Sequence, residues 1–298
     1  MDEIISTILY FFMGVPMFFF LSGYLIWFSV KRTENLKEYC KKRVFRIYPE
    51  LWIGIIIEIF TIIFFYKEKI QWIRLGFFML TQGTILQFWT PEFLREYGCG
   101  TPNGSLWTIC VIIQFYIVIW MIKKFLYRKK GIFWIISTIV LMIVGACTGF
   151  VEKIVPDIWY KLYCQTIIQY LWIFWLGIAV SENIEKLLPI LKKYWWISIP
   201  IYIIWNIFRI DVYSKRYPIF MVTVSCIGCL GGAYALPRLD IKEDISYAMF
   251  IYHMIFVNIM IAIGWKGFNG LLVVIGMTIL FSYLSTILIG KRSWNKGL

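Results

Sequence analysis

The chain is poor in the residues that keep a soluble domain in water. Charged side chains make up 16% of its 298 residues, against 60% hydrophobic and 20% aromatic, and the mean hydropathy is +0.74. A packed core accounts for about half apolar content, so the surplus excludes a soluble globular domain. The start lacks a basic region: Asp2 and Glu3 open the chain, and the apolar stretch behind them is too long for a cleavable signal peptide. No period of about 20–50 residues repeats and no low-complexity linker intervenes, so a single domain over 1–298 is expected. The seven cysteines are scattered. Cys226 and Cys229 stand in "VTVSCIGCLGG" with no other ligand type nearby, which reads as small-residue packing and points to no metal site. Acidic residues number 17 against 30 basic ones. That excess of +13 sits mainly in loops, as membrane orientation requires, and gives no reason to expect nucleic acid as a partner.

What is present in abundance is hydrocarbon. A bilayer core of about 30 Å is crossed by about 20 helical residues at about 1.5 Å each. Segments of that kind fall at 8–30, 47–66, 105–122, 131–150, 162–180, 194–210, 218–237, 245–264 and 270–290. A tenth, 73–89, is interrupted by Arg74, Gln82 and Gln87. The fold class is therefore all-α, a polytopic transmembrane bundle, with membrane lipids as its first partner. Counting Lys and Arg decides the tenth segment. If all ten cross, the two sides carry 14 and 16, no bias; if 73–89 stays re-entrant or interfacial, they carry 20 and 10. The positive-inside rule selects nine spans, with residues 31–46 and the C-terminus cytoplasmic and residue 1 outside. Small residues in "GCLGGAYA" suit close helix approach.

Three stretches carry more than hydropathy. In "GVPMFFFLSGYLIWF", residues 14–28, Pro16 should bend the helix while Ser22 and Gly23 leave room beside aromatic side chains; a kinked packing helix is the plainer reading. In "KKRVFRIYP", Arg43 and Arg46 are three apart and share a helix face with two guanidinium forks, able to grip phosphate or pyrophosphate. Lys41 and Lys42 read as anchors to lipid phosphate, and for the Arg pair both readings stand. Pro49 then ends the amphipathic run and starts the next span. In "NGSLWTICVIIQFY", Asn103, Gly104 and Ser105 form a turn or cap and the span begins at Leu106. Trp107 and Gln114 share a face, and the buried amide of Gln114 wants partners.

These stretches, in this order, resemble the acyltransferase type 3 family of membrane acyltransferases. The resemblance rests on G-V-x-x-F-F-x-x-S-G at 14–23, R-x-x-R-I-Y-P at 43–49 and N-G-S-L-W-T-I-x-V-x-x-Q-F-Y at 103–116. A fourth segment, "ISYAMFIYHMIF" at 245–256, is similar to the family's late S-Y-x-x-Y-x-x-H helix. The resemblance implies transfer of an acyl group, usually acetyl, from cytoplasmic acyl-coenzyme A to a hydroxyl of a cell-surface glycan or lipid-linked sugar in the plasma membrane. Acyl-coenzyme A is then a donor substrate, with no resident cofactor. Arg43 and Arg46 match the Arg pair associated with coenzyme A, and Ser22, Gly23, Tyr48, Trp107, Gln114, Tyr116 and Ser246 would line the site.

The resemblance also implies a helix ahead of residue 14 with an Arg and a His central to transfer, and a Glu where this chain has Ile112. The chain begins too late for that helix, so an N-terminally shortened domain is expected, with an inactive relative as one reading. Transfer needs a base and oxyanion donors. His253 is the only histidine, with a satisfied structural imidazole as its plainer role. Ser246, seven residues earlier, shares its face, so a polar cluster with Tyr247 or Tyr252 is expected. Glu58 is the most notable intramembrane acid, and the sequence names no partner for it. The competing function is a glycan or lipid transporter with Glu58, Gln165, Gln169, Asn206 and Arg209 along its path; no related halves support it. The oligomeric state is not legible.

Overall fold

A computed structural model describes residues 13–208, 218–237, 243–265 and 267–290. Among them there is helix and turn but no strand. The helices are α1 Gly14–Arg32, α2 Leu36–Phe65, α3 Trp72–Gln82, α4 Trp107–Leu126, α5 Gly131–Cys147, α6 Asp157–Tyr163, α7 Leu171–Glu182, α8 Ile184–Tyr194, α9 Ser198–Phe208, α10 Ile219–Ala235, α11 Ser246–Ala262 and α12 Gly267–Ser285. Five helical stretches, with α8 and α9 running as one, are long and apolar enough to cross a membrane, and four shorter apolar helices accompany them. The chain is a multi-pass membrane protein built as an all-α bundle. The described residues divide into two compact units, one holding 35–110, 243–265 and 267–290, the other 13–34, 111–208 and 218–237.

In the first unit α2 starts where the Asn35 side chain accepts from Lys37 N at 2.9 Å, with Glu38 in the first turn and paired to Lys42 at 2.7 Å. Pro49 does not divide this helix, contrary to the sequence expectation. Thirty residues, about 45 Å, run through it without a break, because one lost backbone bond is offset by the packing of Leu51, Ile55 and Ile62 beyond it. α3 has 11 residues and rises about 16 Å, half a hydrocarbon core, as expected of a segment that does not cross. A cluster of Ile62, Leu75, Phe78, Phe93, Leu94 and Tyr97 seats it, and Trp52 Nε1 donates to Gly83 O at 2.9 Å. α11 packs on both α2 and α12.

The second unit is built on α1 against α7. A Cβ on Gly23 would stand 2.1 Å from Phe174 O, and one on Gly177 would stand 2.1 Å from Phe20 O, so the two backbones touch where neither side chain exists. Aromatic rings fill the space around them: Phe115 stacks on Phe174 at 4.1 Å, and Phe19 lies 5.6 Å from Phe115 and 5.1 Å from Tyr170. Pro16 falls in the first turn of α1, where its missing N–H costs little. At the other end Thr33 N caps the helix at Val30 O, the Tyr127 hydroxyl also donates to Val30 O at 3.0 Å, and Lys123 Nζ donates to Thr33 O at 3.0 Å. Lys31 pairs with Glu182, which also accepts from Trp27 Nε1 at 2.5 Å.

One expected span is broken. Instead of one helix over 162–180, α6 ends at Tyr163, a turn and a 3₁₀ segment follow, and α7 begins at Leu171. The break is held by Gln114, whose Nε2 donates to Gln165 O at 2.8 Å and whose Oε1 accepts from Ile167 N at 3.3 Å. Irregular backbone among apolar helices persists only where its polar groups find partners. α10 uses the "GCLGG" stretch as read: a Cβ on Gly231 would lie 2.9 Å from Leu191 O, and Cys226 is buried nearby in the same helix.

Candidate active site

Three of the motif stretches meet in the first unit through hydrogen bonds. The chain between α3 and α4 is ordered by Asn258 of α11, which is fully buried. Its Oδ1 accepts from Cys99 N at 2.8 Å, and its Nδ2 donates to Thr101 O at 3.1 Å and Pro102 O at 2.6 Å. Gly98 precedes with φ +58, and a Cβ there would fall 1.9 Å from Asn258 Oδ1, so only glycine fits. Asn103 then donates to Ile251 O at 2.9 Å, and the Ser105 hydroxyl lies 2.7 Å from Asn103 Oδ1 and 3.2 Å from Phe250 O. The N-G-S turn thus precedes α4 as expected, at Trp107, and also ties itself to the carbonyls of α11.

α11 is tied in turn to α2 and α12. The Tyr247 hydroxyl donates to Ile47 O at 3.0 Å, one residue beyond Arg46. The buried Tyr252 hydroxyl donates to Ser285 Oγ at 3.0 Å, and Ser285 donates to Glu50 Oε1 at 2.5 Å. These bonds set the middle of α2 and the N-terminal half of α11 beside the C-terminal end of α12. Gly54 sits one turn after Glu50, and a Cβ there would meet Ile251 Cγ2 at 2.2 Å, so the helices are in close contact along this face.

His253 is half-buried on α11, with Nδ1 3.1 Å from Met249 O. A carbonyl only accepts, so in the neutral ring Nδ1 carries the proton and Nε2 the lone pair. Ser246 is not brought to it: its hydroxyl donates to Asp244 Oδ1 at 2.6 Å at the head of the helix, and Tyr247 and Tyr252 turn to Ile47 and Ser285. Glu58 is 1% exposed, and neither carboxylate oxygen has a hydrogen-bond partner among the described residues. It lies eight residues after Glu50, two turns along the same face of α2.

The remaining expected positions divide between the units. Arg43, half-buried, lies over the Tyr39 ring at 5.6 Å, while Arg46 is exposed one turn later. Tyr48 donates to Thr84 O at 3.3 Å and so tethers the turn after α3. Trp107 opens α4 in the first unit. Ser22, Gly23, Gln114 and Tyr116 belong to the second, where Gly23 is a helix-contact glycine and Gln114 holds the break at 165–167. Ile112 is buried on α4. Arg209 lies outside the described residues. Glu50, Ser285 and Asn258 were missed by sequence reasoning. Glu50 directly follows R-I-Y-P and stands at helical spacing with Gly54 and Glu58, a signal that was available. Asn258, an amide inside the apolar run 245–264, carries the signal that marks Gln114, whereas nothing of the kind marks Ser285. Among the described residues no three His, Cys, Asp or Glu side chains gather as a metal site.

An arrangement of this kind, a basic helix mouth joined to a histidine-bearing helix, suits transfer of a group from an anionic donor. The profile of the acyltransferase domain family matches residues 3–290, nearly the whole chain, and the chain belongs to that family. It is 26% identical over 273 residues to Nodulation protein 10 of Rhizobium leguminosarum bv. viciae, covering 85% of this chain and 74% of that protein. It is 27% identical over 118 residues to peptidoglycan O-acetyltransferase OatA of Listeria monocytogenes, a match that spans 36% of this chain and 19% of that protein. No solved structure matches.

Proposed function

We propose that the chain transfers an acyl group, acetyl as the usual one, from cytoplasmic acyl-coenzyme A to a hydroxyl of a cell-surface glycan or lipid-linked sugar. The observation that carries this reading is the hydrogen-bonded convergence of 47–50, 103–105 and 247–252 beside His253. Arg43 and Arg46 grip the donor phosphates in bidentate bonds. His253 lies six residues beyond Tyr247, about 9 Å of helix rise from the Ile47 contact, which an extended thioester arm held at Arg46 can cover. His253 Nε2 takes the proton of the acceptor hydroxyl as its oxygen attacks the thioester carbonyl. The C–O bond forms, the C–S bond breaks, and the proton passes to the departing thiolate. Glu58 is the second group on this face able to hold a proton. Family membership and an O-acetyltransferase relative favour transfer over transport.

The proposed topology sets residues 31–46 and the C-terminus in the cytoplasm and the N-terminus outside. Two observations support it. Lys123 and Tyr127 bond to Thr33 and Val30, so α1 and α4 end together, which requires α3 not to cross. The start of the apolar run of α2 at Ile47, the start of α11 at Tyr247 and the end of α12 at Ser285 are brought together, and the charge count assigns all three to one side. The test is incubation of the purified protein in vesicles with labelled acetyl-coenzyme A and a cell-wall glycan. Label on a glycan hydroxyl, lost in Arg43→Ala/Arg46→Ala, supports transfer. Movement of an unmodified glycan without labelling would instead establish transport.

A further inference from the structure

A second polar site lies away from His253 in the first unit. Arg74 of α3, then Trp89, Thr90, Pro91 and Glu92, and Arg95 of the 3₁₀ turn Glu92–Glu96 line a cavity of about 420 Å³. Its floor is fixed. Gln82, itself buried, donates to Trp89 O at 2.9 Å, the Tyr66 hydroxyl donates to Phe93 O at 2.6 Å, and Phe93 and Leu94 are anchored in the cluster with Ile62, Leu75 and Phe78. Two guanidinium groups are thus presented over a backbone held from beneath, beside an indole that is 38% exposed. None of these side chains has a part in the transfer chemistry described above.

We propose that this cavity binds the acceptor and selects a sugar that carries an oxyanion, a carboxylate or a phosphate. Arg74 and Arg95 take the oxyanion in fork geometry, Trp89 offers a flat apolar face to the sugar ring, and Glu92 accepts from its hydroxyls. Two cations against one carboxylate leave a surplus of one positive charge, matched to one anionic group per sugar. The inference rests on the acyl-transfer reading and its topology, in which Arg74 and residues 89–95, beside Tyr66 at the far end of α2, face outside, opposite Arg43 and Arg46.

The test is direct binding without donor, in nanodiscs of zwitterionic lipid, using labelled oligogalacturonate and a neutral malto-oligosaccharide of the same length. The charged sugar should bind at least about tenfold more tightly, the worth of one charge-assisted contact. Arg74→Ala/Arg95→Ala should weaken it about a hundredfold, with coenzyme A binding unchanged. Arg95→Glu should abolish it, and Arg43→Ala/Arg46→Ala should leave it intact. Equal affinity for the two sugars, or an unaltered double variant, overturns the proposal. So does loss of sugar binding when the discs contain phosphatidylglycerol, which would make the cavity a seat for lipid phosphate. Charged-sugar binding without transfer activity would refute the acyl-transfer reading alone, and transfer without such binding would refute this one alone.

Discussion

The two units bury different things. The unit of α2, α3, α11 and α12 encloses Glu50, Glu58, Asn103, Asn258, Ser282 and Ser285, and it ties its segments together through side-chain bonds. The unit of α1, α4 to α10 buries fewer polar side chains and, among the described residues, no unpaired carboxylate. Lys123 and Gln114 bond across its segments, but it meets chiefly through glycine contacts and stacked rings, with the Lys31–Glu182 pair near one end. Buried polar groups are costly unless satisfied, so a unit that holds many of them is specified by chemistry more than by stability. Apolar packing of small and aromatic residues is the cheaper way to make a scaffold. Under the acyl-transfer proposal, the difference puts the reaction in one unit and support in the other.

Substitutions can break that contrast. The largest stability effect is expected in the scaffold: Gly177→Val sets a side chain against Phe20 O and should cost about 3 kcal/mol or more, read as a lowered Tm in detergent. Asn258→Leu removes three bonds that order 99–102 and strands their backbone groups, a loss of about 3 kcal/mol with transfer falling alongside Tm. Gln114→Leu leaves Gln165 O and Ile167 N without their side-chain partner and should cost about 1–3 kcal/mol, while the activity of each folded molecule is retained. Tyr48→Phe loses one long bond to Thr84 O and should shift stability by about 0.5 kcal/mol. Full activity in Asn258→Leu, or lost activity in folded Gln114→Leu, would reverse the assignment.

The helices were legible because apolar runs of bilayer length admit little else, and the 11-residue α3 followed from the charge that interrupts 73–89. The N-G-S turn was read correctly as preceding a helix, since Asn and Ser side chains compete locally for backbone groups. Its second role was not legible, because the carbonyls of Phe250 and Ile251 are some 145 residues away in sequence. Pro49 misled for the reason that a local rule ignores packing on the far side of the residue. The break at 164–170 carries Gln165 and Gln169, a local dip that a span-length hydropathy window averages out, and the unexplained Gln114 was a further trace. The shared face of Ser246 and His253 follows from helix geometry, but Asp244 lies nearer to the serine and takes its hydroxyl.

The comparison is tested most directly by the rate of labelled acetyl transfer in His253→Ala beside Gln114→Leu, each normalised to folded protein. The account predicts that His253→Ala loses about a hundredfold or more with Tm held, as removal of a general base does, while Gln114→Leu lowers Tm and keeps its rate. A His253→Ala protein that transfers at the unaltered rate would contradict it.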